Sequence, residues 1–137
     1  MGDFGAVLSG CGVIVRLPFP SPALFPNRKN GQHWGKTVAE RTAQHEAGYL
    51  LTKAAKGDYT PPDGPIALSL LFLTPDKRKR DADNMLAASK ALIDGMAYAL
   101  GIDDSRFRPI LVDWQHGPKG GALVAAVGVE IRSGMNL

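Results

Sequence analysis

The chain has 137 residues, the length of one ordinary domain, and can bury a core without disulfide or metal staples. Apolar residues make up 45% and charged residues 21%, a balance that excludes a disordered or fibrous chain. Net charge is only +3, the lone Cys11 rules out an intrachain disulfide or a Cys/His zinc pattern, and His33, His45 and His116 lack metalloprotease spacing.

Residues 1–12 are Gly-rich and read as a loose tail without the basic stretch of a secretory leader. A myristoylation signal fails at Ala6, where Ser or Thr is required. Val13 to Leu17 reads as a short strand, too short and too mixed to span a membrane. It stops at the Pro18-Phe19-Pro20-Ser21-Pro22 run, which cannot continue a sheet interior. A basic loop with Asn27, Arg28, Lys29, Asn30, His33 and Trp34 follows, and His33 and Trp34 are candidates to clamp or stack on DNA. Over residues 36–56, Ala39, Ala43, Ala47, Leu50, Leu51 and Ala54 recur at helical spacing, which predicts an amphipathic helix ending at Gly57.

Ile66 to Leu73 is nearly all apolar and predicts a strand buried on both faces. A second helix is expected from Asn84 to Leu100, with Met85, Ser89, Leu92, Met96 and Leu100 along one stripe and Gly101 as its stop. Ile110 to Gln115 and Ala122 to Arg132 read as a closing strand pair joined by the glycine-rich turn at Gly117–Gly121. The expected fold is α/β, a single mixed sheet with two helices in the order β-α-β-α-β-β. A reducing cytoplasm fits the cysteine usage.

Charge is unevenly placed. Lys77, Arg78, Lys79 and Arg80 are consecutive cations, while six of the thirteen acids lie between Asp76 and Asp104. Such a juxtaposition suits a polyanion held around a metal site. Asp81 and Asp83 are two apart and, in an extended segment, point the same way. Adjacent carboxylates repel, and a hard divalent cation with oxygen ligands, Mg²⁺ first, relieves that repulsion. Asp83 is also placed to cap the following helix, whose N-terminus favours negative charge. The bland alternative is a capping residue on a solvated face. Asp103 and Asp104 follow the same helix, which carries the chain about 25 Å away, so a returning strand must bring them back. Lys90 lies seven residues after Asp83, on nearly the same helix face; it suits a phosphate contact, or an i,i+4 pair with Asp94. Trp114 and His116, in an expected strand, read as structural. A calcium loop starting at Asp81 fails, because Leu86 and Leu92 stand where Gly and Glu are required. A phosphatase-type nucleophile is disfavoured by the tetrabasic run before Asp81.

Together, the run from Pro75 to Asn84, the Lys90–Gly95 segment and the Leu100–Phe107 segment with its Asp103-Asp104-Ser105 element resemble the signature of RusA-type Holliday-junction resolvases, many of them phage-encoded. The strand ending in Leu17-Pro18-Phe19-Pro20-Ser21-Pro22, with Asn27-Arg28 behind it, is similar as well, so the resemblance covers about residues 13–132 as one domain, with residues 133–137 a tail. It implies a homodimeric endonuclease that makes paired, Mg²⁺-dependent nicks in four-way DNA junctions, with Mn²⁺ a possible substitute, in recombination and repair. The metal-binding aspartates it implies are Asp81, Asp83 and Asp104, with Asp103 a close candidate. The family's lysine falls four residues after the second aspartate, where this chain has Ala87; Lys90, one turn further on, resembles the lysine of the phage-type branch. Arg28, Lys36, Lys77, Arg78, Lys79, Arg80, Arg106 and Lys119 are the expected DNA backbone contacts. A non-catalytic branched-DNA-binding protein of the same fold is the alternative, and a small-molecule Mg²⁺ phosphohydrolase is disfavoured by the basic loops.

Overall fold

A computed structural model describes residues 12–26 and 34–135, with the side chains of residues 34–36 outside that description. Strand β1 (Val13–Leu17) gives way at its prolines to a single 3-10 turn at Pro22–Leu24. Helix α1 (Trp34–Lys56) leads to strand β2 (Ile66–Thr74). Helices α2 (Ala82–Ala88) and α3 (Lys90–Leu100) follow, and a 3-10 turn at Asp104–Arg106 opens strand β3 (Phe107–His116), with β4 (Ala122–Val127) last.

The result is a mixed α/β fold with one four-stranded sheet in the order β1-β4-β2-β3. β2 runs parallel to β3 and antiparallel to β4, and β4 runs antiparallel to β1. The helices cover one face. Leu68, Leu70, Phe72, Leu123, Ala125 and Val127 of the inner strands meet Met85, Leu92 and Met96 there. On the other face Leu71, Val124 and Ala126 are closed over by Ile131 and Val129 from the segment after β4. β2 is therefore sandwiched on both sides, as its continuous apolarity implied. That segment is pinned to β3 as far as Ser133 and Gly134, whose amides donate to Asp113 Oδ2 (2.8 Å) and Gln115 Oε1 (2.8 Å). The expected tail from residue 133 thus packs on the sheet over its described part.

Three features depart from the sequence reading. First, β3 and β4 are not a hairpin, because β2 lies between them. The Gly117–Gly121 connection crosses the end of β2, where Gly117 N donates to Thr74 O (2.8 Å). A Cβ on Gly117 would lie 2.9 Å from the Leu73 carbonyl carbon, so only glycine lets the chain cross this closely. β4 also ends at Val127, short of Arg132.

Second, the expected Asn84–Leu100 helix is two helices meeting at Ser89. The buried Ser89 Oγ donates to Met85 O (2.6 Å), a back-bond to the preceding turn that bends helices. The anticipated stripe survives the bend: Met85, Ser89, Leu92, Met96 and Leu100 are all buried. Third, α1 has nearly the expected ends but buries a different face. Ala39, Ala43, Leu50, Leu51 and Ala54 are exposed, whereas Gln44, Gly48 and Thr52 are buried at i, i+4, i+8. The reason is backbone-to-backbone contact with α3. A Cβ on Gly48 would sit 2.2 Å from Leu92 O, and one on Gly95 would sit 2.1 Å from His45 O. Gly48 and Gly95 are what let the two backbones touch at this crossing.

Candidate active site

The loop leaving β2 is organised by Asp76. Thr74 Oγ1 donates to Asp76 O (3.0 Å) and Gln115 O (3.3 Å), holding the first bend. The Asp76 carboxylate accepts from Arg78 N (3.0 Å), Arg78 Nε (3.2 Å) and Arg80 (2.7 Å). Those bonds, the backbone N–H of Arg78 foremost, hold the Asp76 carboxyl below its ordinary value. The four cations thereby split into two kinds. Arg80 is turned inward: its side chain is only 12% exposed, and its guanidinium lies 5.5 Å from the centre of the Phe19 ring. Lys77, Arg78 and Lys79 remain exposed.

Asp81 is extended (φ −135°, ψ 123°) and occupies the N-cap position of α2, one residue before the helix, while Asp83 lies in its first turn. The cap is therefore Asp81 and not Asp83, its side chain makes no capping bond, and both residues are exposed. Asn84 Nδ2 reaches Asp81 Oδ2 at 3.5 Å. The Asp83 carboxyl beside Asp81, through a hydrogen bond and its charge, raises the Asp81 pKa above the ordinary value, against a weaker pull from Lys79. The charge of Asp83 thus outweighs that of Lys79 at Asp81.

A second cluster forms around Lys90, the first residue of α3. Its ammonium bridges Asp94 Oδ1 (2.8 Å), the anticipated i,i+4 partner, and Asp104 Oδ2. Asp104 first, then Asp94, raises the Lys90 pKa. In return the hydrogen bond from Lys90 holds Asp104 below its ordinary value. Asp103 points elsewhere: its carboxylate accepts from Ser105 N (2.9 Å), capping the 3-10 turn, and the Ser105 hydroxyl and amide lower its pKa. Among the described residues, no group of three or more His, Cys, Asp or Glu side chains is arranged to hold a metal ion. Asp81 and Asp83 stand as a pair, and Asp104 is engaged by Lys90.

The other expected DNA contacts fall in three places. Arg106 is turned back on the fold, with Nε donating to Gly64 O (3.0 Å) and Nη2 to Pro62 O. Lys119 is exposed on the connection crossing β2. Arg28 and His33, and the side chains of Trp34 and Lys36, lie outside the described residues. Trp114 and His116 project, exposed, from the edge strand β3.

Beside Asp81 opens a cleft of about 920 Å³ that the sequence reading did not single out. Phe19, Phe25 and Pro75 supply apolar walls, Arg78 and Lys79 stand among its lining residues, and Asp81 and Asn84 line it next to the acid pair. The Pro-Phe-Pro run was visible in the sequence, but only as the end of a strand.

Among known proteins, no family model matches the chain. A protein of Xylella fastidiosa (strain Temecula1), described as uncharacterized, is 37% identical over 105 residues, covering 72% of this chain and 66% of that protein. The chain thus matches just under two thirds of that relative's length. Among the described residues, no helix is long and apolar enough to cross a membrane.

Proposed function

We propose that the chain is a Mg²⁺-dependent endonuclease acting on branched DNA, a four-way junction above all, as a RusA-like homodimer. The observation that carries this reading is the Asp81–Asp83 pair: two exposed carboxylates, one at the N-cap and one in the first turn of α2, with the cations of Arg78 and Lys79 on the preceding loop. Mg²⁺ is commonly bound by one or two carboxylates, with water and substrate phosphate completing the shell. The donor set of Asp81 and Asp83 fits that pattern. Asp104 is engaged by the Lys90 ammonium and Asp103 by the Ser105 amide, so the donors counted for the ion are Asp81 and Asp83 alone.

Bound there, the ion supplies charge neutralisation at the scissile phosphate and an activated water. The protein's own groups do the rest. Lys77, Arg78 and Lys79 attract and position the phosphodiester backbone. Lys90, a cation held between Asp94 and Asp104, is the proposed proton donor to the leaving oxygen through Nζ. Arg80 and Arg106 act indirectly, by fixing the loop through Asp76 and the turn through Gly64 and Pro62. A twofold dimer presents two such sites, which matches the symmetry of a four-way junction and accounts for paired cuts.

A second reading, a branched-DNA-binding protein without cleavage, is favoured by one observation: the Lys90 ammonium is already occupied by two carboxylates, Asp94 and Asp104. The same experiment separates the two. Wild-type protein and Asp83→Asn are incubated with a labelled junction in Mg²⁺ and in EDTA. Nicks are expected only with wild type in Mg²⁺, with the junction still shifted by the variant. Full cleavage by Asp83→Asn removes the assignment of the site; binding without nicks by wild type favours the second reading.

A further inference from the structure

We infer that the cleft between the Pro18–Pro22 segment and the basic loop holds one unpaired nucleotide of the DNA strand, its base stacked on Phe25 and its phosphate met by Arg78 and Lys79. The inference rests on the proposed action on DNA and names how a branched substrate is told from a plain duplex.

The cleft combines the two chemistries a nucleotide needs. One is a rigid aromatic platform. The Phe19 and Phe25 rings lie nearly parallel, 21° apart with centroids at 6.1 Å. Phe19 is anchored from below by an edge-on contact with the fully buried Phe72 at 6.2 Å. It is held from the side by the Arg80 guanidinium, itself tied to Asp76 at 2.7 Å. Pro20, Pro22 and Pro75 line the cleft too and have few ways to move. Phe25 is left half-buried, an aromatic surface that the core uses only in part. The other chemistry is positive charge. Arg78 and Lys79 also line the cleft, and the Arg78 side chain, although its Nε pairs with Asp76, is 79% exposed and so open to a backbone phosphate.

The volume, about 920 Å³, falls in the range of clefts that enclose small-molecule-sized groups, roughly 300–1,000 Å³. A paired base cannot enter, because its faces are already covered by its neighbours in the helix. An unstacked base at a branch point can, and base–aromatic stacking tolerates any of the four bases. Asp81 and Asn84 line the same cleft, so a strand anchored there is led to the acid pair. Arg78 and Lys79 alone would bind any duplex; the aromatic platform adds a preference for unpaired strands.

The test compares an oligothymidylate, a four-way junction and a blunt duplex of equal length, by fluorescence anisotropy in EDTA, with dTMP as a competitor. Wild type is expected to bind the oligothymidylate and the junction more tightly than the duplex. Phe25→Ala should weaken binding to the single strand on the order of 5- to 100-fold and leave duplex binding within about twofold. Phe25→Leu keeps the apolar bulk if the alanine variant folds poorly, and it should lose the same preference; Phe25→Trp should restore it. Arg78→Ala should instead weaken all three DNAs together and flatten the salt dependence. If Phe25→Leu and Phe25→Trp both bind the single strand as wild type does, the inference is overturned while DNA action stands. If dTMP competes at the concentration expected of the whole strand, the cleft is a mononucleotide site and the strand reading is overturned. If wild type binds none of the DNAs, the proposed function and this inference fall together.

Discussion

Gly95→Ala probes the contact that places the helices over the sheet. The added Cβ would lie 2.1 Å from His45 O and 2.8 Å from Tyr49 N, both backbone atoms of α1 that cannot rotate aside. The two helices must therefore move apart by about 1 Å to reach ordinary van der Waals separation. Overpacking of this kind costs roughly 1–3 kcal/mol, and the upper part of the range applies because backbone is struck. Alanine returns up to about 1 kcal/mol through its better helix propensity. The net loss is then about 2 kcal/mol, which for a chain of this length lowers Tm by roughly 5–10 °C. Circular dichroism at the helix band reads the melt directly. Gly48→Ala, which meets Leu92 O at 2.2 Å, should behave alike. The double variant should cost less than the sum, because one separation relieves both clashes. A Tm that is unchanged or raised in Gly95→Ala would refute the close crossing, since that is the outcome for a glycine on a solvent-facing helix surface.

Three further outcomes follow from the site's electrostatics. Asp76→Asn should lower Tm near neutral pH, and its deficit relative to wild type should close as the solution is acidified. Asp76 titrates lower in the folded chain than an ordinary aspartate, so its stabilisation is complete above the ordinary value and is lost as pH falls through the folded pKa. A deficit independent of pH would contradict the carboxylate's role as organiser of the cation loop. Lys90→Ala should reduce junction nicking by about 10²-fold or more while leaving the melt nearly unchanged, because Lys90 is exposed; a rate equal to wild type would show that its proton is not used. Asp94→Asn should keep nicking and shift stability by only a few tenths of a kcal/mol, the usual size of an i,i+4 pair; a lost activity would mean that Asp94 does more than hold Lys90.

Elements with a strong periodic or compositional signature were legible in the sequence. The unbroken apolar run of β2 announced a strand covered on both faces, and the stripe from Met85 to Leu100 announced the buried side of α2 and α3. The α1 face was not legible, because its packing is made by the absence of side chains. Gly48 and Gly95 allow backbones to touch, and no hydrophobic pattern records that. The glycines of Gly117–Gly121 announced a tight reversal, yet a third strand between the two arms is a long-range fact that local turn chemistry does not carry. At the site, the Lys90–Asp94 pair followed from spacing alone, whereas Asp81 and Asp83 do not share the extended segment that their spacing implied: Asp81 is extended and Asp83 is already in the first turn of α2. The Lys90–Asp104 bridge did not, because it depends on how α3 returns to β3. Likewise Phe19 and Phe25 gained a reading only when the basic loop was seen to fold against them.

Nick mapping on a four-way junction, labelled one strand at a time, tests the account at its centre. With Mg²⁺ present, wild-type protein is predicted to give two symmetrically placed nicks in opposing strands, none in EDTA, and none in a linear duplex of the same sequence. A junction that is bound yet stays intact in Mg²⁺, or a duplex cut as readily as the junction, would contradict it.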